Sequence, residues 1–124
     1  MTSEFVLPKT FDPHLNPNQI VLVGTGGTGA HLARLLARLL SHMQGLRLST
    51  PRLCLIDPDI IEAKNIGRQL FSPADVGYPK AEVVAKRLSM AFGLEIEWLS
   101  EAFDAQKHSR NAYGTILIDA VDNH

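Results

Sequence analysis

The sequence is poor in cysteine, in uninterrupted apolar stretches and in excess charge of one sign, and each shortage excludes a class of protein. Its one cysteine, Cys54, excludes an internal disulfide and a zinc site built from several thiolates. No apolar run approaches the roughly 20 residues that cross a bilayer, and the N-terminus lacks the apolar core of a signal peptide. We therefore expect a soluble, cytoplasmic protein that contacts no membrane.

Charge is almost balanced, with 12 Lys and Arg residues against 13 Asp and Glu residues. The basic residues form no cluster that would release counterions from a phosphate backbone, so we expect no nucleic acid as a partner. With 124 residues, of which 45% are hydrophobic, the chain is long enough to form one globular core.

Two regions of the chain differ in composition. Residues 1–18 contain Pro8, Pro13 and Pro17, which disfavour helix and strand, so we expect an extended N-terminal lead-in. Residues 19–124 alternate apolar runs of strand length with helical patterns. These patterns predict strands at 20–23, 53–56, 95–99 and 116–118, and helices at 28–43 and 79–92.

The first predicted helix is amphipathic. Arg34 and Arg38 lie on its polar side, and its apolar side comprises Leu32, Leu35, Leu36, Leu39, Leu40 and Met43. The strand at 95–99 alternates polar and apolar residues and is expected at an edge, whereas the run at 116–118 is typical of a buried strand. Because no helix follows that last run to cover it, we expect a further C-terminal portion or a covering partner.

Between the first strand and the first helix, residues 24–29 read Gly-Thr-Gly-Gly-Thr-Gly. This G-x-G-x-x-G pattern lets backbone amides and a helix N-terminus approach a phosphate, so Gly24, Gly26, Gly27 and Gly29 are candidate nucleotide-binding residues. A tight turn without a ligand is the alternative. The alternating elements and this motif together predict an α/β fold: an open, mainly parallel, Rossmann-like sheet with flanking helices, binding ligands at the carboxyl ends of its strands.

Further polar residues suit a nucleotide. Asp57 closes the second strand, where a carboxylate commonly accepts hydrogen bonds from the ribose hydroxyls of either NAD or ATP. Arg68 offers a planar fork and Lys80 a compact charge, which suit a triphosphate and the charge that develops on departing pyrophosphate. A cation in a first helical turn, as at Lys80, is unfavourable by about 0.3–1 kcal/mol unless an anion binds. Solvated surface charges are the alternative for both.

Carboxylates also follow the last predicted strand. Asp122 emerges at the same sheet edge as the glycine motif and is predicted to hold Mg²⁺ with phosphate oxygens, the alternative being to cap the next element. Asp59 and Asp119 are weaker candidates. Cys54 lies within a buried-type strand and is expected to behave as a small hydrophobe. The five histidines are scattered, and none is predicted to be catalytic.

Five motifs stand in order along the chain: the glycine motif, Asp-Pro-Asp at 57–59, Asn-Ile-Gly-Arg-Gln at 65–69, Val-Gly-Tyr-Pro-Lys at 76–80 and Asp-Ala-Val-Asp-Asn at 119–123. This set resembles the adenylation core of the ubiquitin-activating-enzyme-like ThiF/MoeB/HesA family of adenylyltransferases, and it covers nearly all of residues 19–123. Residues 67–77 most resemble the ThiF-like proteins of plasmid-borne PRTRC gene clusters.

The resemblance implies that residues 19–124 are the N-terminal portion of an ATP-binding adenylation domain. Asp57 would bind the ribose, with Asp59 beside it in the ATP site, and Asp122 would bind the magnesium ion. The phosphates would be bound by Asn65, Arg68, Gln69 and Lys80. The catalytic residues would be Arg68, Lys80 and Asp122.

Members of this family activate the C-terminal carboxylate of a ubiquitin-like or sulfur-carrier protein, or of a peptide, by forming an acyl-adenylate and releasing pyrophosphate. A carboxyl group with a pKa of about 3.5 is ionised at neutral pH, so its attack on the α-phosphorus needs no general base. The resemblance also implies a homodimer, although residues 1–18 contain no arginine that could reach a partner's ATP. The alternatives are an NAD-dependent oxidoreductase and a non-catalytic nucleotide-binding interaction module of the same fold.

Overall fold

The computed structural model describes residues 18–67, 71–108 and 114–121. Strands and helices alternate along this part of the chain, as predicted. The strands are β1 (Gln19–Val23), β2 (Arg52–Ile56), β3 (Glu97–Leu99) and β4 (Thr115–Asp119), and the helices are α1 (Gly27–Gly45), α2 (Lys80–Phe92) and α3 (Ala105–His108). Two short 3₁₀ helices, Ala63–Asn65 and Pro73–Asp75, lie between β2 and α2.

The four strands form a parallel sheet in the order β3-β2-β1-β4. Short β-branched and aliphatic runs fill both faces of the two central strands, as expected for strands covered on both sides. One face carries Ile20, Leu22, Leu53 and Leu55 and packs in one apolar cluster with residues of α1 and α2. The structure therefore confirms the open, parallel, Rossmann-like sheet with flanking helices.

The buried side of α1 agrees with the predicted one in part: Leu40 is buried, and Leu32, Leu36 and Met43 pack against the core. Leu35 and Leu39 are 48% and 52% exposed. The residues that α1 buries are mostly small: Gly29, Ala30, Ala33, Ala37 and Leu40. Small side chains at these positions let the helix backbone approach the sheet and α2 closely. The predicted placement of Leu35 and Leu39 in the core is wrong.

The two edge strands also test the predictions. β3 lies at one edge, as its polar and apolar alternation indicates. β4 forms the other edge of the described sheet, and its Ile116 and Leu117 are 45% and 47% exposed. This exposure agrees with the expectation that the run needs a further covering element: in the described sheet β4 pairs with β1 alone, and its Ile118 packs against the core cluster.

The second helix begins one residue later than predicted. Pro79 is its N-cap, with ψ at 136°, and Lys80 is its first helical residue. Within α2, Glu82 and Lys86 form an i,i+4 ion pair in which the lysine is exposed. In the ranges that the structure describes, no helix combines the length and the apolar character needed to cross a membrane.

Candidate functional site

Residues 24–29 connect the carboxyl end of β1 to the N-terminus of α1. Gly24 adopts a φ of +96°, and a Cβ atom added to it would lie 3.0 Å from the backbone carbon and oxygen of Ala120, just after β4. A Cβ atom added to Gly29 would overlap the carbonyl oxygen of Gly24. These two glycines therefore let the loop pack on itself and against the chain that leaves β4.

The other two glycines of the motif lie at the start of α1. Gly26 is the N-cap of α1, and Gly27 is exposed, with no described atom within 4 Å of a Cβ atom added to it. Among the described residues, the positive end of the helix dipole has neither a side-chain cap nor an acidic residue in its first turn, an arrangement that suits a bound phosphate.

The carboxylate of Asp57 ties the glycine loop to the end of β2. Its Oδ2 atom accepts hydrogen bonds from the N–H and the hydroxyl of Thr25, at 2.7 and 2.9 Å. Its Oδ1 atom accepts a hydrogen bond from the N–H of Asp59 at 2.7 Å. Both Thr25 and Asp57 are buried. Asp57, the residue predicted to bind the ribose, is therefore held in place by the glycine loop and by the segment that follows β2.

The segment after β2 runs antiparallel to the segment before α2. The Gly77 N–H donates to the Ile61 carbonyl and the Ile61 N–H donates to the Tyr78 carbonyl, both at 2.9 Å, and the Lys80 N–H donates to the Asp59 carbonyl at 3.0 Å. Gly77 makes this pairing possible with a φ of +94°. Ile61 is buried and anchors the pair in the core. Through this pairing, residues about twenty positions apart meet beside the glycine loop.

Lys80 is a buried cation in this arrangement. It is only 8% exposed, and its Nζ atom lies 3.7 Å from the Oδ2 atom of Asp59. That distance is too long for a direct hydrogen bond, so within the described residues the ammonium has a counter-ion but no hydrogen-bond acceptor. The alternative interpretation of Lys80 as a solvated surface charge is wrong. A buried ammonium with unused donors is able to bind an anion strongly.

Asp75, which sequence reasoning noted only as part of a motif, fixes the loop that leads to α2. Its Oδ2 atom accepts hydrogen bonds from the Ser72 N–H and hydroxyl at 2.8 and 3.2 Å, and its Oδ1 atom accepts one from Arg87 of α2 at 2.7 Å. The Ser72 N–H, followed by the Arg87 guanidinium, holds the pKa of Asp75 below its ordinary value, outweighing burial, which acts in the opposite direction.

We expect Asp75→Asn to lower the free energy of unfolding at neutral pH by about 1–3 kcal/mol, because an amide cannot accept from all three donors. The folded-state pKa of Asp75 is depressed, so its contribution is fully present above the unfolded value of about 3.9 and is lost as the pH falls through the lower folded value. Urea unfolding between pH 7 and pH 3 should show a shallower acid dependence for Asp75→Asn than for the wild type. Glu95→Gln, which removes an exposed carboxylate, is the control; an equal effect of both variants would contradict the prediction.

Asn65 is the last residue of the first 3₁₀ helix and is buried. Its side-chain oxygen accepts a hydrogen bond from the Glu62 N–H at 2.8 Å, and its own N–H donates to the Glu62 carbonyl at 2.9 Å. The oxygen of the side chain therefore stabilises the loop. The side-chain nitrogen, Nδ2, has no partner within the described ranges, so this is the atom of Asn65 that is available to a phosphate.

Three predicted site residues, Arg68, Gln69 and Asp122, lie outside the described residues. The structure thus brings together the glycine motif, Asp57, Asp59 and Lys80, and it leaves these three positions as predictions. Among the described residues, no group of three or more His, Cys, Asp or Glu side chains could hold a metal ion. Asp119, a weaker candidate, accepts a hydrogen bond from the Val121 N–H. Mg²⁺ commonly uses one or two carboxylates together with substrate phosphates, so a dense acidic cluster is not required.

The opposite face of the sheet has a different character. Cys54 is buried there beside Val21, and burial is the main cause that raises the pKa of its thiol to about 11, as expected for a structural cysteine. His108, the last residue of α3, stacks against Phe103, and its side chain is buried. A cavity of about 280 Å³ on this face is lined in part by Cys54 and His108 and includes no residue of the glycine loop.

A parallel sheet with this strand order, and with a glycine loop at its first strand-to-helix junction, defines a Rossmann-like α/β domain. Within that class, the chain belongs to the ThiF family, whose sequence model matches residues 5–124.

Relatives of the chain are much longer proteins. The NEDD8-activating enzyme E1 catalytic subunit of Arabidopsis thaliana is 44% identical over 80 residues, which is 63% of this chain and 16% of the relative. The ubiquitin-like modifier-activating enzyme 7 of Homo sapiens is 32% identical over 116 residues, which is 90% of this chain and 11% of the relative. The E. coli tRNA N6-threonylcarbamoyladenosine dehydratase TcdA, solved in complex with ATP, matches with a TM-score of 0.65 at 25% identity, over 90% of this chain and 44% of that chain.

Proposed function

We propose that this chain is the nucleotide-binding portion of an ATP-dependent adenylating enzyme that activates the C-terminal carboxylate of a ubiquitin-like or sulfur-carrier protein. The observation that carries the proposal is the position of Lys80. Its buried ammonium lies beside the carboxylate of Asp59. The N–H of Asp59 donates to Asp57, and Asp57 also accepts a hydrogen bond from the glycine loop. A dinucleotide oxidoreductase has little use for a buried cation at this place.

The four glycines and the N-terminus of α1 are proposed to bind phosphate through backbone amides. Asp57 is proposed to accept hydrogen bonds from the ribose, with Asp59 beside it as the resting counter-ion of Lys80. The remaining phosphate ligands are proposed to be Asn65, Arg68, Gln69 and Lys80. Residues 19–124 would then be the N-terminal portion of the adenylation domain, preceded by a lead-in at 1–18.

The proposed reaction needs no general acid or general base. The attacking carboxylate is already ionised at neutral pH, so the site has to hold it near the α-phosphorus and neutralise the charge on the departing pyrophosphate. Arg68 and Lys80 are proposed to supply fixed positive charge for that purpose. A magnesium ion, when bound, would neutralise phosphate charge, and Asp122 is the residue proposed to hold it.

The relatives support this proposal by their names and by one bound ligand. Two are activating enzymes for ubiquitin-like proteins, and the dehydratase was solved with ATP. The narrower resemblance to proteins of PRTRC gene clusters, the homodimeric state and the cytoplasmic location stay predictions.

A thermal-shift comparison of ligands separates this function from that of an oxidoreductase. We expect ATP with Mg²⁺ to raise the melting temperature, because a ligand bound to the folded state alone stabilises by mass action: at a concentration 100 times its Kd the gain is about 2.7 kcal/mol. NAD at the same concentration should leave the melting temperature unchanged. Stabilisation by NAD but not by ATP would refute the proposal.

Turnover is tested by ATP–pyrophosphate exchange in the presence of candidate carrier proteins with free C-terminal carboxylates. Exchange that depends on the carrier, and that Arg68→Ala reduces, is the expected result. In the full-length protein, ATP binding without exchange for any carrier would instead favour the non-catalytic module.

A further inference from the structure

The glycine motif leaves its second position open to any residue, and here that position is Thr25, whose side chain is fully buried. Both donors of Thr25, the N–H and the hydroxyl, point to the same Oδ2 atom of Asp57. The N–H of Asp59 takes the other oxygen. Asp57 as a whole residue is only 4% exposed, so very little of it contacts solvent.

These contacts leave the carboxylate little freedom. Two carboxylate oxygens offer about four lone-pair sites, and three protein donors occupy three of them. Hydrogen bonds to a carboxylate are strong, so they resist its rotation. A group that is already ordered and desolvated loses less freedom when a ligand binds.

We propose that Thr25 is a positioning residue that presets Asp57 to select nucleotides by a ribose hydroxyl. This inference rests on the proposed function, since it assumes that Asp57 meets the ribose of ATP. The Thr25 hydroxyl turns the carboxylate so that its remaining acceptor site is directed at a ligand hydroxyl. A site built to hydrogen-bond a hydroxyl rejects an analogue that lacks it, because its own buried polar group is then left unpaired.

The test is the affinity of the full chain for ATP, 2′-deoxyATP and 3′-deoxyATP, measured by titration calorimetry for the wild type, Thr25→Val and Thr25→Ser. Valine keeps the shape and the backbone N–H of Thr25 but removes the hydroxyl, whereas serine keeps the hydroxyl. We expect the wild type to bind ATP more tightly than at least one deoxynucleotide. Thr25→Val should weaken ATP binding about tenfold and reduce that preference by a similar factor, while Thr25→Ser should retain the preference.

A purely structural role of Thr25 would weaken all three nucleotides equally and leave the preference unchanged, and that result would overturn the inference. Equal affinity of the wild type for all three nucleotides would also overturn it, although ATP binding and the proposed function would stand. Failure of the wild type to bind any of the three would instead reject the proposed function itself.

Amide hydrogen exchange on the free wild-type chain gives a test that does not depend on the folding of a variant. A preset carboxylate predicts that the amides of Thr25 and Asp59 are protected before nucleotide is added, because both donate to Asp57. Rapid exchange of both amides in the free chain, with protection only after ATP binds, would show that the carboxylate is ordered by the ligand and would overturn the inference.

Discussion

Gly29→Ala is expected to lower the free energy of unfolding by about 3 kcal/mol or more, one of the largest effects available to a single methyl group in this chain. The added Cβ atom would overlap the carbonyl oxygen of Gly24, and its next nearest neighbour there is the Gly24 carbonyl carbon. Both are backbone atoms, so no side chain can rotate away to relieve the overlap. The loop would have to move away from α1, and its contact with Ala120 after β4 would change with it.

Denaturant unfolding followed by circular dichroism measures this effect, and the same motif offers a matched control. Gly27→Ala introduces the same methyl group where no described atom lies within 4 Å. It should unfold at a denaturant concentration equal to or above that of the wild type, because alanine favours the first turn of a helix. If the two variants unfolded at the same concentration, the tight packing of the loop around Gly29 would be disproved.

Lys80→Gln is expected to reduce carrier-dependent ATP–pyrophosphate exchange by about 10²–10³-fold, the loss typical of removing one preorganised charge from a reacting group. The stability of the folded chain should change little or rise. The removed ammonium is buried without a hydrogen-bond acceptor among the described residues, and it opposes the dipole of α2 at the first helical position. Asp59, its counter-ion, is exposed and remains solvated after the change.

Exchange kinetics and thermal unfolding of the same preparations separate the two expectations. Lys86→Gln is the matched control, since it removes an exposed lysine from the same helix and only a surface pair with Glu82 is lost. A Lys80→Gln variant that unfolded easily but kept full exchange would show that the buried lysine serves the fold and not the reaction. Loss of exchange with stability retained is the pattern of a residue kept for function at the expense of stability.

Much of the fold was predictable because its signals are local. Strands at residues 20–23 and 53–56 follow from short apolar runs, α1 from its helical periodicity and the loop at 24–29 from its glycines. Burial was less predictable. Leu35 and Leu39 match the helical period yet lie on the exposed side of α1, whose buried residues are mostly small. Burial depends on which other segments pack against a given segment, and a local sequence pattern does not specify those segments.

The candidate site was predictable in its residue types but not in its geometry. Asp57, Asp59 and Lys80 were candidates from their places beside strands and helices. Their contact depends on the antiparallel pairing of the segment around Ile61 with the segment around Gly77, which no short-range pattern indicates. The role of Thr25 was missed for the same reason, since its partner Asp57 is 32 positions away.

The amino-acid sequence alone determined the order of strands and helices, the loop of glycines between the first two of them, and the supply of acidic and basic groups at the carboxyl ends of the strands. The tertiary structure decided at which glycines a side chain would clash with neighbouring atoms, which lysine is buried and which carboxylate is held by a threonine. These properties depend on desolvation and on hydrogen bonds between distant segments. Both are set by the neighbours that folding brings together, and the same residue types in another arrangement would be solvated surface groups.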